Sequence, residues 1–427
     1  MSDGSGQRVT FSTPDGLRGW AALWVTLFHV EVSGKVDAAL DQVPAPVRSL
    51  VVSRGALGVS VFFVLSGFVM SHSLRRNFER PVDGRAFAAR RVLRITPPYY
   101  AAIVVAVAFA VLASRVEGRP FSVGGTGGEA PLTLGRALAH LLYLQEILGF
   151  ENINDVFWTL SLEMQFYALF ALLVWVVWWV ASRTTVGTAM AAVVGPVAVV
   201  SLLWPLGLVV HDGRAHVFWP LWFLFLLGAL TYWTWQRRMP PIALLGYFTA
   251  LAVGIATGPY AAVTISGLVT AAILLAASGW GRLDRWLADP VSQFLGRISY
   301  SLYLVHTPVL GATLAILMTG DRASSAGWAW LGLAVGLATS ILAATAFHLV
   351  VERPSMRWAR AVGRRDAERS TASSVGGALA ATRSSDGTAS GGPPGVGQLL
   401  LPVRDAPGAG LAADPRRQAT EHGGWAS

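Results

Sequence analysis

The sequence predicts an all-α, polytopic integral membrane bundle of about ten transmembrane helices with both termini cytoplasmic. Three observations carry that prediction. Of 427 residues, 53% are hydrophobic and only 13% are charged, about half the charged share of a soluble domain. The apolar residues gather into ten runs of 17 residues or more, the length needed to cross a hydrocarbon core. Lysine and arginine are concentrated in alternate loops, as the positive-inside rule requires.

In chain order the spans are read at 17–33, 55–73, 97–113, 156–181, 189–210, 217–235, 241–257, 260–279, 298–318 and 328–350. Several are short and interrupted by Gly or Pro, so tilted or bent helices are expected. The segment 136–150, RALAHLLYLQEILGF, is too short and polar to span. It reads as an interfacial or re-entrant helix leading into the fourth span. With the N-terminus inside, the cytoplasmic segments hold 20 basic residues and the outer segments 8. A short cytoplasmic segment, 1–16, precedes a membrane domain at 17–359. Residues 366–427 are rich in Gly, Ala, Ser and Pro and read as a disordered cytoplasmic tail without a catalytic role. No basic-then-apolar leader with a small-residue cleavage site is present, so the first apolar run is expected to be retained. Together these features place the chain as a multi-pass protein of the cell membrane.

Composition also excludes function classes. The chain has no cysteine, which removes disulfides, thiolate nucleophiles and cysteine-based metal sites. The net charge of +9 is accounted for by loop residues that set membrane orientation, so no nucleic-acid partner is expected. There is no G-x-S-x-G elbow, no GxxxxGK[ST] loop and no HExxH pair, leaving hydrolytic triads, ATP-driven pumping and a metal centre without support.

Chemistry is expected where ionisable groups enter the spans. Arg18 and His29 lie eleven residues apart in LRGWAALWVTLFHV. Eleven steps turn a helix by roughly 1100° and advance it by about 16 Å, so both side chains share one face. Arg18 sits near one membrane surface and His29 near the bilayer middle. A snorkelling Arg with a core His is the structural alternative; an intramembrane ionisable residue is otherwise a functional-site hypothesis. Between spans two and three, Arg90, Arg91 and Arg94 converge below the third span if helical, with Pro97-Pro98 marking a bend. Their guanidinium forks suit phosphate oxygens, and lipid-headgroup anchoring is the alternative.

Glu163, in FWTLSLEMQFYALF, lies about two turns into the fourth span from the outer side, among Trp158, Thr159, Gln165 and Tyr167. It is either catalytic support or a structural partner of an Arg or His. His306, in ISYSLYLVHTPV, has Ser299, Ser301 and Tyr303 as polar neighbours, and Ser66 is a weaker candidate that also suits close helix packing. Glu352 and Pro354 end the last span, where a charge pair with a cytoplasmic Arg is expected.

Taken in order, LRGWAALWVTLFH, GVSVFFVLSGF, RRVLRITPPYY, FWTLSLEMQFY, ISYSLYLVHTP and VERP resemble the membrane-bound acyltransferase family 3. The resemblance covers residues 16 to about 356. It implies a ten-helix bundle that moves an acyl group, most often acetyl, from cytoplasmic acyl-CoA to a hydroxyl. Implied acceptors are sugars of polysaccharides, lipid-linked glycans or peptidoglycan, with macrolide-type metabolites as the alternative. Arg18 and His29 match the family's Arg-x10-His pair, and Arg90, Arg91 and Arg94 its basic motif for CoA phosphates. Glu163 matches the acid of its fourth-span block, while Gln165 departs from a second Glu often seen there.

The resulting expectation is that CoA phosphates bind at Arg90, Arg91 and Arg94 with Arg18 assisting. His29 then serves as general base, oriented or charge-balanced by Glu163, with Ser66, Trp158, Tyr303 and His306 supporting or contacting substrate. A covalent acyl-histidine relay is the mechanistic alternative. The rival class is a transporter or flippase, which midplane His and Glu on broken helices also describe. A CoA-sized arginine cluster at the inner surface discriminates against it.

Overall fold

The computed structural model describes residues 11–74, 84–118, 120–125, 128–209, 217 and 219–362. The chain divides into units 1–368 and 369–427. The expected tail at 366–427 and residues 1–10 of the N-terminal segment lie outside the described residues.

The described chain is helical apart from one short ribbon. Its helices are α1 (Ser12–Val32), α2 (Asp37–Leu40), α3 (Ala45–Arg48), α4 (Gly58–Ser73), α5 (Gly84–Glu117), α6 (Leu134–Leu141), α7 (Phe157–Ala181), α8 (Val186–Ser201), α9 (Trp222–Trp235), α10 (Pro241–Thr257), α11 (Ala261–Gly279), α12 (Pro290–Leu317) and α13 (Ala326–Phe347). The ribbon pairs β1 (Val123–Gly125) antiparallel with β2 (Gly128–Ala130), Val123 opposite Ala130. A helix stands on every sequence-predicted span. Among the described residues, six helical stretches are long and apolar enough to cross a membrane: Ala45–Ser73, Phe87–Val116, Phe157–Ala181, Ala261–Gly279, Pro290–Leu317 and Ala326–Val362.

The core forms where α9 threads the bundle. Every residue from Trp222 to Trp233 is buried, the pattern of a helix that is apolar all round. Phe225 stacks on Phe166 at 3.8 Å and on Phe63 at 4.5 Å, adding to the area it buries. α4 and α9 approach with backbones in contact: a Cβ on Gly67 would meet the Phe225 carbonyl, and one on Gly228 the Val64 carbonyl, at under 2 Å.

Three boundaries differ from the sequence expectation, each for a local reason. α5 begins at Gly84 and runs through Pro97 and Pro98 as one helix, rather than starting there. The two prolines cannot donate to the carbonyls of Leu93 and Arg94 one turn earlier. The hydroxyl of fully buried Ser355 faces both, bonding the Leu93 carbonyl and lying 3.2 Å from that of Arg94. The last span does not end at VERP: α13 passes into a π-helical turn, His348–Glu352, and the helix continues to Val362. Glu352 there pairs with no arginine among the described residues; it accepts from Ser301 at 2.6 Å and from His348 at 2.9 Å.

The third concerns the segment before α7. Only Leu134–Leu141 is helical, and the stretch after it enters the bundle. Tyr143 stacks on Tyr99 at 4.6 Å, Ser161 donates to the Tyr143 carbonyl at 2.6 Å, and Asn154 donates to the Leu304 carbonyl at 3.3 Å. Arg136, only 2% exposed, organises it by donating to the carbonyls of Val123, Ala130, Glu151 and Asn152 at 2.6–2.9 Å. His140 donates through Nδ1 to the Arg136 carbonyl at 2.9 Å, and its Nε2 accepts the Ile153 amide at 3.1 Å.

The Ile153 bond requires a neutral ring, and burial pushes the His140 pKa down to about 4 from 6.5. A depressed pKa means that stabilisation is present above pH 6.5, declines below it, and is gone once the pH has fallen through about 4. Hydrogen exchange at the Ile153 amide, corrected for intrinsic rate, should therefore lose protection across that window. His140→Ala should show low protection at every pH.

Candidate active site

Two helix contacts build the site. α1 packs most extensively on α12, with both running the same way, Trp20 bonding Ser292 at one level and His29 reaching His306 further along. Glycines allow this approach: a Cβ on Gly19 would lie 2.5 Å from the Gly296 nitrogen, and one on Gly296 would lie 2.4 Å from the Asp15 carbonyl. The second contact is the Ser355 bridge, which ties the helix after α13 to the arginine-bearing turns of α5.

Between these helices, α4 and α7 lies a cavity of about 440 Å³, within the range of small-molecule sites. Six guanidiniums line it: Arg18 on α1, Arg91 and Arg94 on α5, Arg297 on α12, and Arg353 and Arg360 after the π turn. Three carboxylates face them: Asp15, Glu163 and Glu352. Glu163 accepts from Ser66 at 3.2 Å and from the Tyr167 hydroxyl; Glu352 is held by Ser301 and His348. Arg91 lies over the Tyr167 ring at 4.7 Å and contacts the Met70 sulfur at 3.1 Å. Among the described residues, Arg18, Arg94, Arg297 and Arg353 make no hydrogen bond or ion pair through their guanidiniums. Such forks hold phosphate or carboxylate oxygens bidentately. An adjoining cavity of about 410 Å³ shares Arg91, Arg94, Met356 and Arg360, and adds Arg90, Phe87 and Ser73.

Tyr303, Thr159 and Phe62 also line the large cavity, Tyr303 meeting Thr159 hydroxyl to hydroxyl at 2.7 Å and the Phe62 ring edge-on at 5.4 Å. His306 follows one turn further along α12 and is fully buried. Its Nε2 lies 3.2 Å from Nδ1 of His29. His29 is half-buried, its Nδ1 also 2.9 Å from the Val25 carbonyl.

The family model for the acyltransferase domain, Acyl_transf_3, matches residues 11–348. The chain belongs to acyltransferase family 3. It is 27% identical over 347 residues to a Komagataeibacter xylinus protein named as a membrane-bound transacylase, BcsY, covering 77% of this chain and 80% of that one. The exopolysaccharide production protein ExoZ of Rhizobium meliloti (strain 1021) is 29% identical over 72% of this chain and 91% of its own. The acyltransferase MdmB of Streptomyces mycarofaciens is 29% identical over 80% and 90%. No solved structure matches the chain. It is a membrane enzyme, an O-acyltransferase.

In this family 3 acyltransferase the expected residues are divided between two tiers. Arg18, Arg91, Arg94, Ser66, Glu163 and Tyr303 line the large cavity, while Arg90 lines only the adjoining one. His29 lines neither of the two. Glu163 was expected to orient or charge-balance His29; its bonds run to Ser66 and Tyr167, and the ring partner of His29 is His306. Glu163 shares the large cavity with Arg18 and Arg91. Trp158 packs half-buried on the apolar core and lines neither cavity.

Sequence reasoning missed Arg297, Arg353 and Arg360. Arg297 precedes His306 by nine residues, about 900° of helix, which puts the two on opposite faces and gives no spacing signal. Arg353 and Arg360 lie beyond the expected end of the last span. Their own separation of seven residues, about two helical turns, was the legible clue. Among the described residues no group of three or more His, Cys, Asp or Glu could hold a metal ion.

Proposed function

We propose that this family 3 acyltransferase moves an acyl group, acetyl first, from cytoplasmic acyl-CoA to a hydroxyl of a carbohydrate-type acceptor of the cell envelope or exterior. The observation that carries the reading is a tier of four guanidiniums with no hydrogen bond or ion pair among the described residues, two of them on the helices that bear a paired histidine. The CoA phosphates lie among Arg18, Arg91, Arg94, Arg297 and Arg353, with Arg90 and Arg360 extending the cationic surface outward. The pantetheine arm, on the order of 15–20 Å by extended-chain reach, runs along α1 and α12. It passes Tyr303 and Thr159 and brings the thioester to His29, about 16 Å along the helix from Arg18.

Nε2 of His29 takes the proton of the acceptor hydroxyl as the oxygen attacks the thioester carbonyl. The carbon–sulfur bond breaks, and the proton passes to the departing CoA sulfur. Glu163, tied to Tyr167 under Arg91, balances charge in the donor tier and does not touch the base. The topology that serves this chemistry has ten spans with both termini cytoplasmic in the cell membrane. The 20-to-8 distribution of basic residues supports it, and it puts the arginine tier on the side where acyl-CoA is made.

The relative ExoZ, named for exopolysaccharide production, favours a carbohydrate acceptor. Mass spectrometry of envelope glycans and secreted metabolites, with and without this protein, should reveal a difference of one acyl group on a glycan. The same difference on a secreted metabolite would move the acceptor to that class. No acyl difference in either pool, with no label transferred from acetyl-CoA in isolated membranes, would overturn the proposed donor and acceptor.

A further inference from the structure

His306 is a fully buried ionisable group that the chemistry above leaves unused. Its Nδ1 lies 2.9 Å from the Leu302 carbonyl and 3.0 Å from that of Tyr303. Carbonyl oxygens only accept, so Nδ1 of His306 carries its hydrogen and the neutral ring has a bare Nε2. That bare nitrogen faces Nδ1 of His29 at 3.2 Å. The second neighbour of the same His29 nitrogen is the Val25 carbonyl, again an acceptor. Two acceptors converge on Nδ1 of His29, so that nitrogen carries the hydrogen and Nε2 is the bare one. The tautomer needed for a base at Nε2 is set by the fold.

We infer that His306 is the positioning residue for His29, holding its Nδ1–H and sharing the positive charge that develops as Nε2 takes the acceptor's proton. The inference rests on the reading of His29 as the base. Val25 alone would fix the tautomer, but its carbonyl is committed within α1 and cannot respond as charge develops. An imidazole nitrogen is a stronger acceptor, and the bond to it strengthens as His29 becomes cationic. In a Ser-His-Asp arrangement a carboxylate does this work. A neutral histidine does it here without placing an anion in the apolar interior, where burial of an unpaired charge is costly. The rings cross at 67° with centroids 4.9 Å apart, and Nε2 of His306 comes within 3.2 Å of Nδ1 of His29. The covalent step is unchanged: the acceptor proton goes to Nε2 of His29 and then to the CoA sulfur, and His306 ends as it began.

The test uses the full chain in lipid nanodiscs with ring-labelled ¹⁵N-histidine. His29, assigned by loss of its signals in His29→Ala, should be protonated at Nδ1 and bare at Nε2. A nitrogen–nitrogen coupling across the hydrogen bond should link it to His306. Kinetics follow CoA-thiol release from acetyl-CoA with methyl β-glucopyranoside as hydroxyl probe. His306→Leu should lower kcat roughly ten- to a hundred-fold, the scale of one charge-assisted bond, with the KM for acetyl-CoA within about twofold. His306→Gln, whose amide oxygen can accept the same N–H, should recover most of the rate. Parent-like rates in both His306 variants, with His29→Ala inactive, would overturn the positioning role and leave His29 as base. A His29 protonated at Nε2, with no coupling to His306, would overturn it whatever the variants do. Full activity in His29→Ala would instead remove the reading on which the inference stands.

Discussion

Replacing His29 with alanine should reduce acyl transfer by about 10²–10⁴-fold, the usual cost of removing a general base. The ring is half-buried and its hydrogen-bond partners are the Val25 carbonyl and His306, so its loss leaves the glycine contacts of α1 with α12 intact. Membrane insertion and yield should stay near parent levels, and acetyl-CoA should bind with unchanged affinity, because the donor tier lies at the other end of α1. Transfer of radiolabelled acetyl groups in isolated membranes, alongside donor titration in detergent, checks both halves. Transfer within a few-fold of the parent would remove His29 from the chemistry. Weakened donor binding at normal turnover would move it into the donor site.

Donor affinity should fall by roughly ten- to a hundred-fold for each of Arg94→Ala, Arg18→Ala and Arg353→Ala, the range expected for one lost charge-assisted hydrogen bond. Arg94 lines both cavities and should show the largest loss, Arg90 a smaller one because it lines only the adjoining cavity. Lysine should rescue partly, since it offers a point charge without the planar fork. Added salt should weaken binding, less steeply than at a fully exposed site. Titration of detergent-purified variants with acetyl-CoA measures all of this. Unchanged affinity throughout would return the arginines to membrane orientation and leave the donor site unassigned.

The helices were legible because apolar run length is a property of single segments, and a helix stands on each of the runs read from the sequence. The Arg18–His29 register was legible for the same reason: both residues sit on one helix, and helical geometry alone relates them. What could not be read depends on contacts between segments. The His29–His306 bond joins residues 277 apart, and nothing local at either position names the other. The bonds of Glu163 were equally hidden: Ser66 lies 97 residues away on another helix. The carbonyls that Pro97 and Pro98 leave without an amide donor are met by a serine more than 250 residues away. Arg353 and Arg360 escaped notice because a π turn hides the continuation of the last helix.

The glycine crossing of α1 and α12 turns the two helices into a gauge of fixed length. With backbones touching at Gly19 and Gly296, neither helix can slide without a steric clash, so the interval from arginine tier to histidine pair is counted in residues rather than adjusted by loops. Adding one residue between Arg18 and His29 would lengthen that interval by only about 1.5 Å but swing the histidine by about 100°, out of reach of its partner. Under the proposed function, the reach from phosphate to thioester is thereby set by the scaffold of α1 and α12.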